Sequence, residues 1–210
     1  SSIEAIVRRS GELRGKMAGA VGAYNSLSLL TDDPRGFEER VLLRLGLQPA
    51  PHSTQLVEPE PLLRLLQELT TAFGIIANIA DDLRHLQRSE IAEVAEYFDP
   101  QQVGSSTMPQ KRNPWNSEHV KSLWKAFMPR VMTFYLDQIS EHQRDLTNSA
   151  SGRFVVEFVA GLVAAAARLK RVVASLGVNE GRMAENARSR GSAVLAEAAY
   201  TMLAAQGHPD

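Results

Sequence analysis

PLLRLLQELTTAFGIIANIADDLRHLQR, residues 61–88, is the stretch that decides the fold class. Apolar residues recur there in alternating steps of four and three, at Leu62, Leu66, Leu69, Phe73, Ile76, Ala80 and Leu83. This heptad spacing predicts a helix about 40 Å long that packs along a partner helix of similar length. His85 lies near its C-terminal end, where the helix dipole favours a cation, so we predict a structural role for it.

Two more long segments carry an apolar helical face. The first spans residues 114–144, where Pro129 should kink the helix, and the second spans residues 154–176, where Gly177 should end it. Shorter helices are expected over residues 34–46, 179–190 and 192–206. Because no strand-like alternation or repeat interrupts this pattern, the sequence predicts an all-α fold, an elongated bundle of long helices.

The N-terminal segment, residues 3–30, also has apolar residues at roughly helical spacing. We predict a helix there, although it contains Gly11, Gly15, Gly19 and Gly22. Each glycine inside a helix costs about 1 kcal/mol relative to alanine. Four of them therefore predict close packing of this segment against another backbone or against a ligand.

A proline-containing loop over residues 47–54 leads into the helix at residues 61–88 and ends in Ser53, Thr54 and Gln55. One interpretation is that Ser53 or Thr54 caps the next helix, because a hydroxyl oxygen accepts well from a first-turn amide.

The composition excludes several classes of protein. The chain has 210 residues, 44% of them hydrophobic and 22% charged, with a formal net charge of −1 and no cysteine. This excludes a disulfide framework and a thiolate metal site, and it gives no electrostatic attraction to nucleic acid or anionic membranes. The apolar run at residues 160–167 is too closely bracketed by charges to span a membrane. We expect a cytoplasmic protein with no metal, no cofactor, no nucleic-acid partner and no membrane partner.

The segment GSSTMPQKRNPWNSE, residues 104–118, lies between two apolar helical segments but is itself polar and cationic. Its glycine, serines and two prolines exclude a helix interior, so we predict a loop. Lys111 and Asn113 offer a cation and an amide that suit a carboxylate or an enolate. A solvated basic turn is the alternative interpretation of the same residues.

This loop resembles the signature of the fumarase/aspartase superfamily, G-S-S-x-x-P-x-K-x-N followed five positions later by Glu. The matching residues are Gly104, Ser105, Ser106, Pro109, Lys111, Asn113 and Glu118, and Met108 also matches the usual residue. So many fixed positions make a specific motif. The resemblance implies a long-helix bundle of the L-aspartase-like type and a lyase that eliminates fumarate from a succinyl-substituted substrate.

The resemblance also implies roles for the loop residues. Ser105 would be the deprotonated base, and Lys111 and backbone amides would stabilise its alkoxide. Lys111 and Asn113 would hold the carboxylates, Ser106 and Met108 would contact the substrate, and Glu118 would orient a histidine acid. In the superfamily that histidine precedes the glycine-rich segment at a position before Ser1, so we expect this chain alone to be inactive.

Three further features resemble the adenylosuccinate lyase branch: RGKMAGAVGAY at residues 14–24, the HLQR-S-E string at residues 85–90, and the set Arg144, Ser149 and Arg153. In that branch Arg144, Ser149 and Arg153 would bind the substrate phosphate, and Thr54 and Gln55 would meet the substrate. Two guanidinium groups and a hydroxyl suit a phosphate, although two arginines at a helix break could instead meet solvent.

Other features favour other members of the superfamily. Gln110 is typical of argininosuccinate lyases, and the residues after Gln55 lack the charged run usual in adenylosuccinate lyases. Argininosuccinate lyase and carboxymuconate cycloisomerase are therefore the alternative substrate assignments. A non-catalytic helical assembly module is the alternative from another class of function.

The resemblance covers nearly the whole chain. It implies a central helical-bundle domain over residues 1–176, the start of a small C-terminal helical domain over residues 177–210, and no counterpart of the N-terminal domain. It also implies a homotetramer whose active sites are shared between chains, acting on a small succinyl compound that is a phosphorylated nucleotide.

Overall fold

The structure is a computed structural model that describes residues 1–99, 101, 104–108, 110–139, 147–189 and 191–207. It divides into two compact units. The first unit comprises Ser1–Asn78 and His119–Arg168, and the second comprises Ile79–Glu118 and Leu169–Asp210. Each unit is described by itself below.

The described residues form a predominantly helical structure, which confirms the all-α fold class and its long helices. The α-helices are α1 (Ser2–Gly11), α2 (Pro34–Arg44), α3 (Glu60–Leu86), α4 (Trp115–Phe127), α5 (Met132–Leu136), α6 (Phe154–Ala174), α7 (Glu180–Ser189) and α8 (Ala196–Ala205). Short 3-10 helices occupy Leu27–Leu29, Met128–Val131, Ser151–Arg153 and Gly191–Leu195.

Within the part of the chain that the structure describes, four two-residue strands join distant segments, and the sequence did not predict them. β1 (Arg14–Gly15) pairs in parallel with β2 (Gln48–Pro49), and β3 (Val94–Ala95) pairs antiparallel with β4 (Gly177–Val178). Strands of two residues are too short to show the alternation of apolar and polar side chains by which strands are recognised in a sequence.

The prediction of one helix over residues 3–30 is wrong. Helix α1 ends at Gly11, and the segment that follows, up to residue 30, contains a two-residue strand and a 3-10 helix but no α-helix. Gly19 and Gly22 have positive φ angles of 80° and 75°, as does Tyr24 at 58°. These conformations are incompatible with a right-handed helix, and glycine adopts them at little cost. Two of the four glycines therefore shape a loop rather than the face of a helix.

The predictions of helix ends and kinks meet mixed results. Asp33 caps α2, where its Oδ1 accepts from the Gly36 amide at 2.9 Å. Pro129 interrupts the helix after α4 with a 3-10 turn, as predicted, but α5 ends at Leu136, well before residue 144. Helix α3 begins at Glu60, too far from Ser53 or Thr54 for either to cap it, so the capping interpretation of those residues is wrong.

An aromatic cluster forms the core of the first unit. Its members are Phe73, Trp124, Phe127, Phe134, Phe154 and Phe158, from helices α3 to α6. The Phe134 ring centroid lies 5.3 Å from those of Phe154 and Phe158, and the second contact is edge-to-face. Ring pairs of this geometry contribute about 0.5–1.5 kcal/mol beyond the burial of their area.

Gly161 on α6 leaves space for the Phe127 ring of the aromatic cluster. A Cβ on Gly161 would overlap the Phe127 ring, so only glycine lets that ring lie directly on the helix backbone. Gly74 on α3 similarly faces the Trp124 ring, at 3.3 Å from an added Cβ. The helices of this unit therefore approach closely at positions where one of them has no side chain.

Helix α3 buries a stripe that differs slightly from the predicted seam. Within the first unit Leu63, Leu66, Phe73 and Ala77 are buried, whereas Leu62 is 41% exposed. Helix α3 is also long and apolar enough to cross a membrane by length and composition alone. Because Phe73 is fully buried in the aromatic cluster, we interpret α3 as a core helix.

We expect Phe158→Ala to lower the free energy of unfolding by about 3–5 kcal/mol, because it leaves a cavity in the aromatic cluster where Phe158 is fully buried. Val163→Ala on the same helix is the matched control, since Val163 is 61% exposed, and its cost should stay below about 1 kcal/mol. Urea unfolding of both variants measures the difference. Equal costs would show that the cluster is not the core of this unit.

Candidate functional site

The signature loop, residues 104–118, lies in the second unit and closes on itself. A Cβ on Gly104 would overlap the carbonyl oxygen of Lys111, so the two ends of the turn meet where only glycine fits. The Lys111 amide donates to the Met108 carbonyl at 3.0 Å. The Arg112 guanidinium lies 3.7 Å from the centroid of the Phe98 ring, in a cation–π contact.

Ser105 sits at the centre of this turn and is half-buried. Its Oγ accepts from the backbone amides of Thr107 and Met108, at 3.3 and 3.2 Å. The Thr107 hydroxyl also lies 3.4 Å from it. Donors that converge on one hydroxyl oxygen favour its anionic form, since each of them interacts more strongly with an alkoxide than with a neutral hydroxyl.

A carboxylate from outside the loop holds the start of α4. Glu96 Oε1 accepts from the Ser117 amide at 2.7 Å and from the Ser117 hydroxyl at 2.5 Å. Glu96 Oε2 accepts from the Asn116 amide at 3.1 Å and from the Asn116 side-chain amide at 3.0 Å. Ser117 is fully buried. The first turn of the helix that carries Glu118 is thus fastened to the segment before the loop.

A cleft of about 930 Å³ lies beside the loop in the same unit. Its lining combines loop side chains with the β3–β4 pair and the end of α3: Gln87, Ser89, Ala92, Val94, Ala95, Met108, Gln110, Lys111, Arg112, Asn113, Gly177, Val178 and Asn179. The structure therefore brings together three of the predicted residues, Met108, Lys111 and Asn113, at one cleft. Its positively charged lining side chains suit an anionic ligand.

The other predicted loop residues lie close in sequence to this cleft but do not line it. Ser105 and Ser106 occupy the turn, and Glu118 lies in the first turn of α4, where its amide donates to the Pro114 carbonyl at 2.9 Å. Ser106, Lys111 and Glu118 are exposed to solvent.

Thr54 and Gln55 lie in the first unit, beside the glycine-containing segment. A Cβ on Gly22 would overlap the Ser53 carbonyl oxygen. Lys16 Nζ donates to the Thr54 carbonyl at 2.7 Å and to the Gly19 carbonyl. The prediction of close packing against another backbone is thus met at Gly22, whereas a Cβ on Gly19 would meet no atom within 4 Å.

A buried carboxylate supports the same segment. Glu38 on α2 is only 4% exposed; its Oε2 accepts from the Tyr24 hydroxyl at 2.6 Å, and its Oε1 accepts from the Met17 amide. The hydrogen bond to Glu38 raises the pKa of Tyr24, and burial raises it further by a smaller amount. Donation from a phenol and a backbone amide compensates the carboxylate for the water that it loses on burial.

Ser149 lines a second cavity, of about 520 Å³, within the first unit. The cavity walls include Leu56, Glu58 and Asp137, so the described surroundings of Ser149 are apolar and acidic rather than cationic. Arg153 is exposed at the end of the 3-10 turn that leads into α6. Arg144, the third member of the predicted phosphate set, lies outside the described residues, as does Pro109 of the signature.

Sequence reasoning missed Glu96, Glu38 and Lys16. Glu96 had one available signal: α4 follows Pro114, which has no side-chain acceptor, so the first-turn amides of α4 require a partner from elsewhere. Nothing local in the sequence identifies that partner. Among the described residues, no three His, Asp or Glu side chains come together as metal ligands would, and the absence of a metal stays a prediction.

Two protein-family profiles match this chain and together cover most of it. A family profile described as Lyase matches residues 4–127, more than half of the chain. A second, described as Adenylosuccinate lyase C-terminal, matches residues 140–210. The chain belongs to the fumarase/aspartase superfamily of lyases.

Curated relatives within this superfamily include adenylosuccinate lyases. The one from Thermotoga maritima is 37% identical over 178 residues, which is 82% of this chain and 39% of the relative. The one from Archaeoglobus fulgidus is 33% identical over 196 residues, or 93% of this chain and 44% of the relative. The chain thus spans well under half the length of these relatives.

A solved superfamily structure has the same fold. The 3-carboxy-cis,cis-muconate lactonizing enzyme from Pseudomonas putida matches with a TM-score of 0.75 and 24% sequence identity. The match covers 91% of this chain and 42% of that protein. At this identity the likeness shows the fold alone, and it confirms the predicted long-helix bundle of the superfamily.

The Tyr24–Glu38 contact predicts a pH-dependent contribution to stability. Because the pKa of Tyr24 is raised in the folded state, its contribution should be complete below the ordinary tyrosine value of about 10 and should be lost as the pH rises through the folded-state value. Tyr24→Phe should lower the free energy of unfolding by about 1 kcal/mol at neutral pH, and the deficit should shrink at alkaline pH.

Urea unfolding at neutral pH and above pH 10 measures this deficit. Tyr97→Phe is the control, because Tyr97 is 62% exposed, and its effect on the free energy of unfolding should be small. A Tyr24→Phe deficit that stays constant across this range would contradict the assigned hydrogen bond.

Proposed function

We propose that this chain forms part of an adenylosuccinate lyase, which breaks a C–N bond of adenylosuccinate and releases fumarate. The reaction is supported above all by one observation: the Ser105 oxygen accepts from two backbone amides on the loop that also carries Lys111 and Asn113. The substrate is supported by the adenylosuccinate lyases among the relatives and by the matching C-terminal profile.

Ser105 acts first in the proposed mechanism. Its alkoxide removes a proton from the carbon next to a substrate carboxylate, and the electron pair of that C–H bond delocalises into the carboxylate as an aci-carboxylate dianion. The Thr107 and Met108 amides stabilise the alkoxide, and Lys111 and Asn113 stabilise the charge that develops on the substrate.

The second step breaks the C–N bond. The electron pair of the dianion reforms as the double bond of fumarate, and the C–N bonding pair passes to the departing nitrogen, which receives a proton from a general acid. We assign that acid to a histidine elsewhere in the protein, oriented by Glu118 at the start of α4. Ser106 and Met108 complete the contacts of the loop with the substrate.

The phosphate of the substrate is assigned to Arg144, Ser149 and Arg153, with Thr54 and Gln55 contacting the rest of the nucleotide. Ser149 and Arg153 lie just before α6, and the N-terminal end of a long helix favours an anion. The acidic lining next to Ser149 argues that the arginines, rather than the serine, supply most of the attraction to the phosphate.

Assembly is part of the proposal because the loop is open to solvent. Lys111 and Glu118 are exposed, whereas a dianionic intermediate needs a site from which water is excluded. Apolar side chains such as Ile75, Leu136 and Ile139 are also exposed, at 48%, 66% and 82%. A cytoplasmic homotetramer with active sites shared between chains would cover both.

One experiment with two substrates separates this proposal from its alternatives, and it uses the full-length gene product that contains this chain. Release of fumarate is measured from adenylosuccinate and from argininosuccinate side by side. Turnover of adenylosuccinate supports the proposal. Turnover of argininosuccinate alone would favour the alternative that Gln110 suggests, an argininosuccinate lyase. A full-length protein that releases fumarate from neither substrate would contradict the proposal and favour either the carboxymuconate cycloisomerase assignment or a non-catalytic assembly module.

Ser105→Ala should lower kcat by about 10²–10⁴-fold, the range attributed to a positioned base, and should leave substrate binding nearly unchanged. Ser175→Ala is the matched control, since Ser175 directly follows α6, is exposed, and has a hydroxyl that donates to the Arg171 carbonyl. Single-turnover kinetics and equilibrium binding measure the two effects separately. A Ser105→Ala variant that keeps wild-type turnover would exclude Ser105 as the base.

Arg153→Ala should raise KM for adenylosuccinate about 30-fold or more, the usual cost of losing one member of a desolvated charge pair. Turnover should change little, because a phosphate remote from the reacting carbon is bound equally in the ground and transition states. Arg171→Ala, which removes an exposed arginine from the last turn of α6, is the control. An unchanged KM would remove the phosphate assignment and leave a fumarate-releasing lyase of another substrate.

A further inference from the structure

The hydrogen bonds of Glu96 form a complete cap for α4. Both carboxylate oxygens are used, and each accepts from one backbone amide and one side chain: Oε1 from the Ser117 amide and hydroxyl, and Oε2 from both amides of Asn116. These are second and third residues of the helix, the positions whose amides lack partners within a helix. Glu96 thus performs the task of an N-cap from 20 residues earlier in the chain.

This remote cap is needed because of how the signature loop ends. Pro114 precedes the helix and has no side-chain acceptor, while the Asn113 carbonyl accepts from the Trp115 amide at 2.8 Å. The loop carbonyls of Asn113 and Pro114 therefore accept from the first and fourth amides of α4, those of Trp115 and Glu118. Glu96 supplies an acceptor for each of the next two amides, those of Asn116 and Ser117, and Ser117 is fully buried.

Glu96 is itself fixed to the wall of the cleft. Its backbone amide donates to Gln87 Oε1 at 2.8 Å, and Gln87 lines the cleft near the end of α3. The residues directly before Glu96 form β3, which pairs with β4 on another side of the cleft. Glu96 is consequently held at both its backbone amide and its carboxylate oxygens. The position of the first turn of α4 therefore depends on the position of the cleft wall.

We propose that Glu96 is a positioning residue that sets the place of Glu118 in the elimination. Glu118 follows Ser117 directly in the first turn of α4, so the orientation of its side chain depends on how that turn is held. The inference rests on the proposed function, in which Glu118 orients the general acid. It adds that the acid step depends on a carboxylate that never touches the substrate.

The cap also restricts how the substrate is bound. The positive end of a helix dipole is a common site for a carboxylate, but at α4 a carboxylate of the protein already occupies that place. The carboxylates of a succinyl substrate must then be held by the cation and side-chain amide of the loop, Lys111 and Asn113. Removal of the cap should therefore affect the rate more than the affinity.

Glu96→Gln is the decisive variant, made in the full-length gene product. Glutamine has nearly the same shape, but its amide group would face the donors of Asn116 or of Ser117, so half of the cap is lost. We expect kcat for adenylosuccinate to fall roughly 10- to 100-fold, as for other small displacements of catalytic groups, with KM within about 3-fold. Ser117→Ala, which removes one of the four bonds, should give a smaller fall in the same direction.

Glu93→Gln is the matched control. Glu93 lies just before β3 and accepts through Oε1 from Asn186 on α7, so the variant makes the same chemical change on the same segment without touching α4. Its kcat should stay within about 2-fold of wild type. An equal loss of kcat in Glu93→Gln and Glu96→Gln would overturn the proposal, because the effect would then belong to the segment and not to the cap.

A double-mutant cycle shows whether Glu96 acts through Glu118. In a Glu118→Gln background, Glu96→Gln should lower kcat by less than about 3-fold, since two residues that act on one step are not additive. Full multiplication of the two losses would overturn the proposed route. A raised KM with unchanged kcat in the single variant would also overturn it, because it would make Glu96 a determinant of binding.

Hydrogen exchange distinguishes failure of this inference from failure of the proposed function. If wild type releases no fumarate from either succinyl substrate, the proposed function fails, and the cap is judged by the amides of Asn116 and Ser117. They should exchange at least about 10-fold faster in Glu96→Gln and at the wild-type rate in Glu93→Gln. Unchanged protection in Glu96→Gln would overturn the cap itself.

Discussion

A backbone amide that has no partner within a helix or a sheet needs another acceptor, and this constraint accounts for much of what is unusual in the structure. Helix α4 begins after a proline, and the Glu96 carboxylate accepts from two amides of its first turn. The segment after α1 contains no regular structure at Met17, and the amide of that residue receives its partner from the buried Glu38. In both units a carboxylate from a distant position completes a backbone that its own neighbours leave unsatisfied.

These two carboxylates serve the segments that the superfamily resemblance connects with the substrate. Glu96 holds the end of the signature loop, and Glu38, together with Tyr24, supports the glycine-containing segment that contacts Ser53 and Thr54. A loop that must present polar side chains to a ligand cannot also pack them inward. The hydrogen bonds of the two carboxylates therefore fix these segments in place, as apolar packing does elsewhere in the chain.

The sequence predicted the long helices well because their signal is periodic and extends over many residues. Helix α3 and helix α6 end within a few residues of their predicted limits, and Pro129 interrupts the chain where expected. The signature loop was recognised from fixed residues in order. The first helix was overestimated because glycines at positive φ look, in a sequence, like glycines in a tightly packed helix.

What the sequence could not predict depends on pairs of residues far apart in the chain. Neither the cap at Asn116 nor the two-residue strand pairs leave a local pattern, since each partner is unremarkable where it stands. The same applies to the cleft beside Lys111, whose lining comes from four separate stretches. Motif recognition named the residues of the candidate site, and only the fold showed which of them share a surface.

The pairing of β3 with β4 also bears on how the second unit assembles. Arg182 and Asn186 on α7 donate to the Ile91 carbonyl from positions 91 and 95 residues later in the chain, and they reinforce the contact that the strands make. Closing so long a stretch of chain is slow relative to forming local helices. On the ribosome, the cleft would therefore form only after its second wall has been synthesised, later than the local helices that precede that wall in the chain.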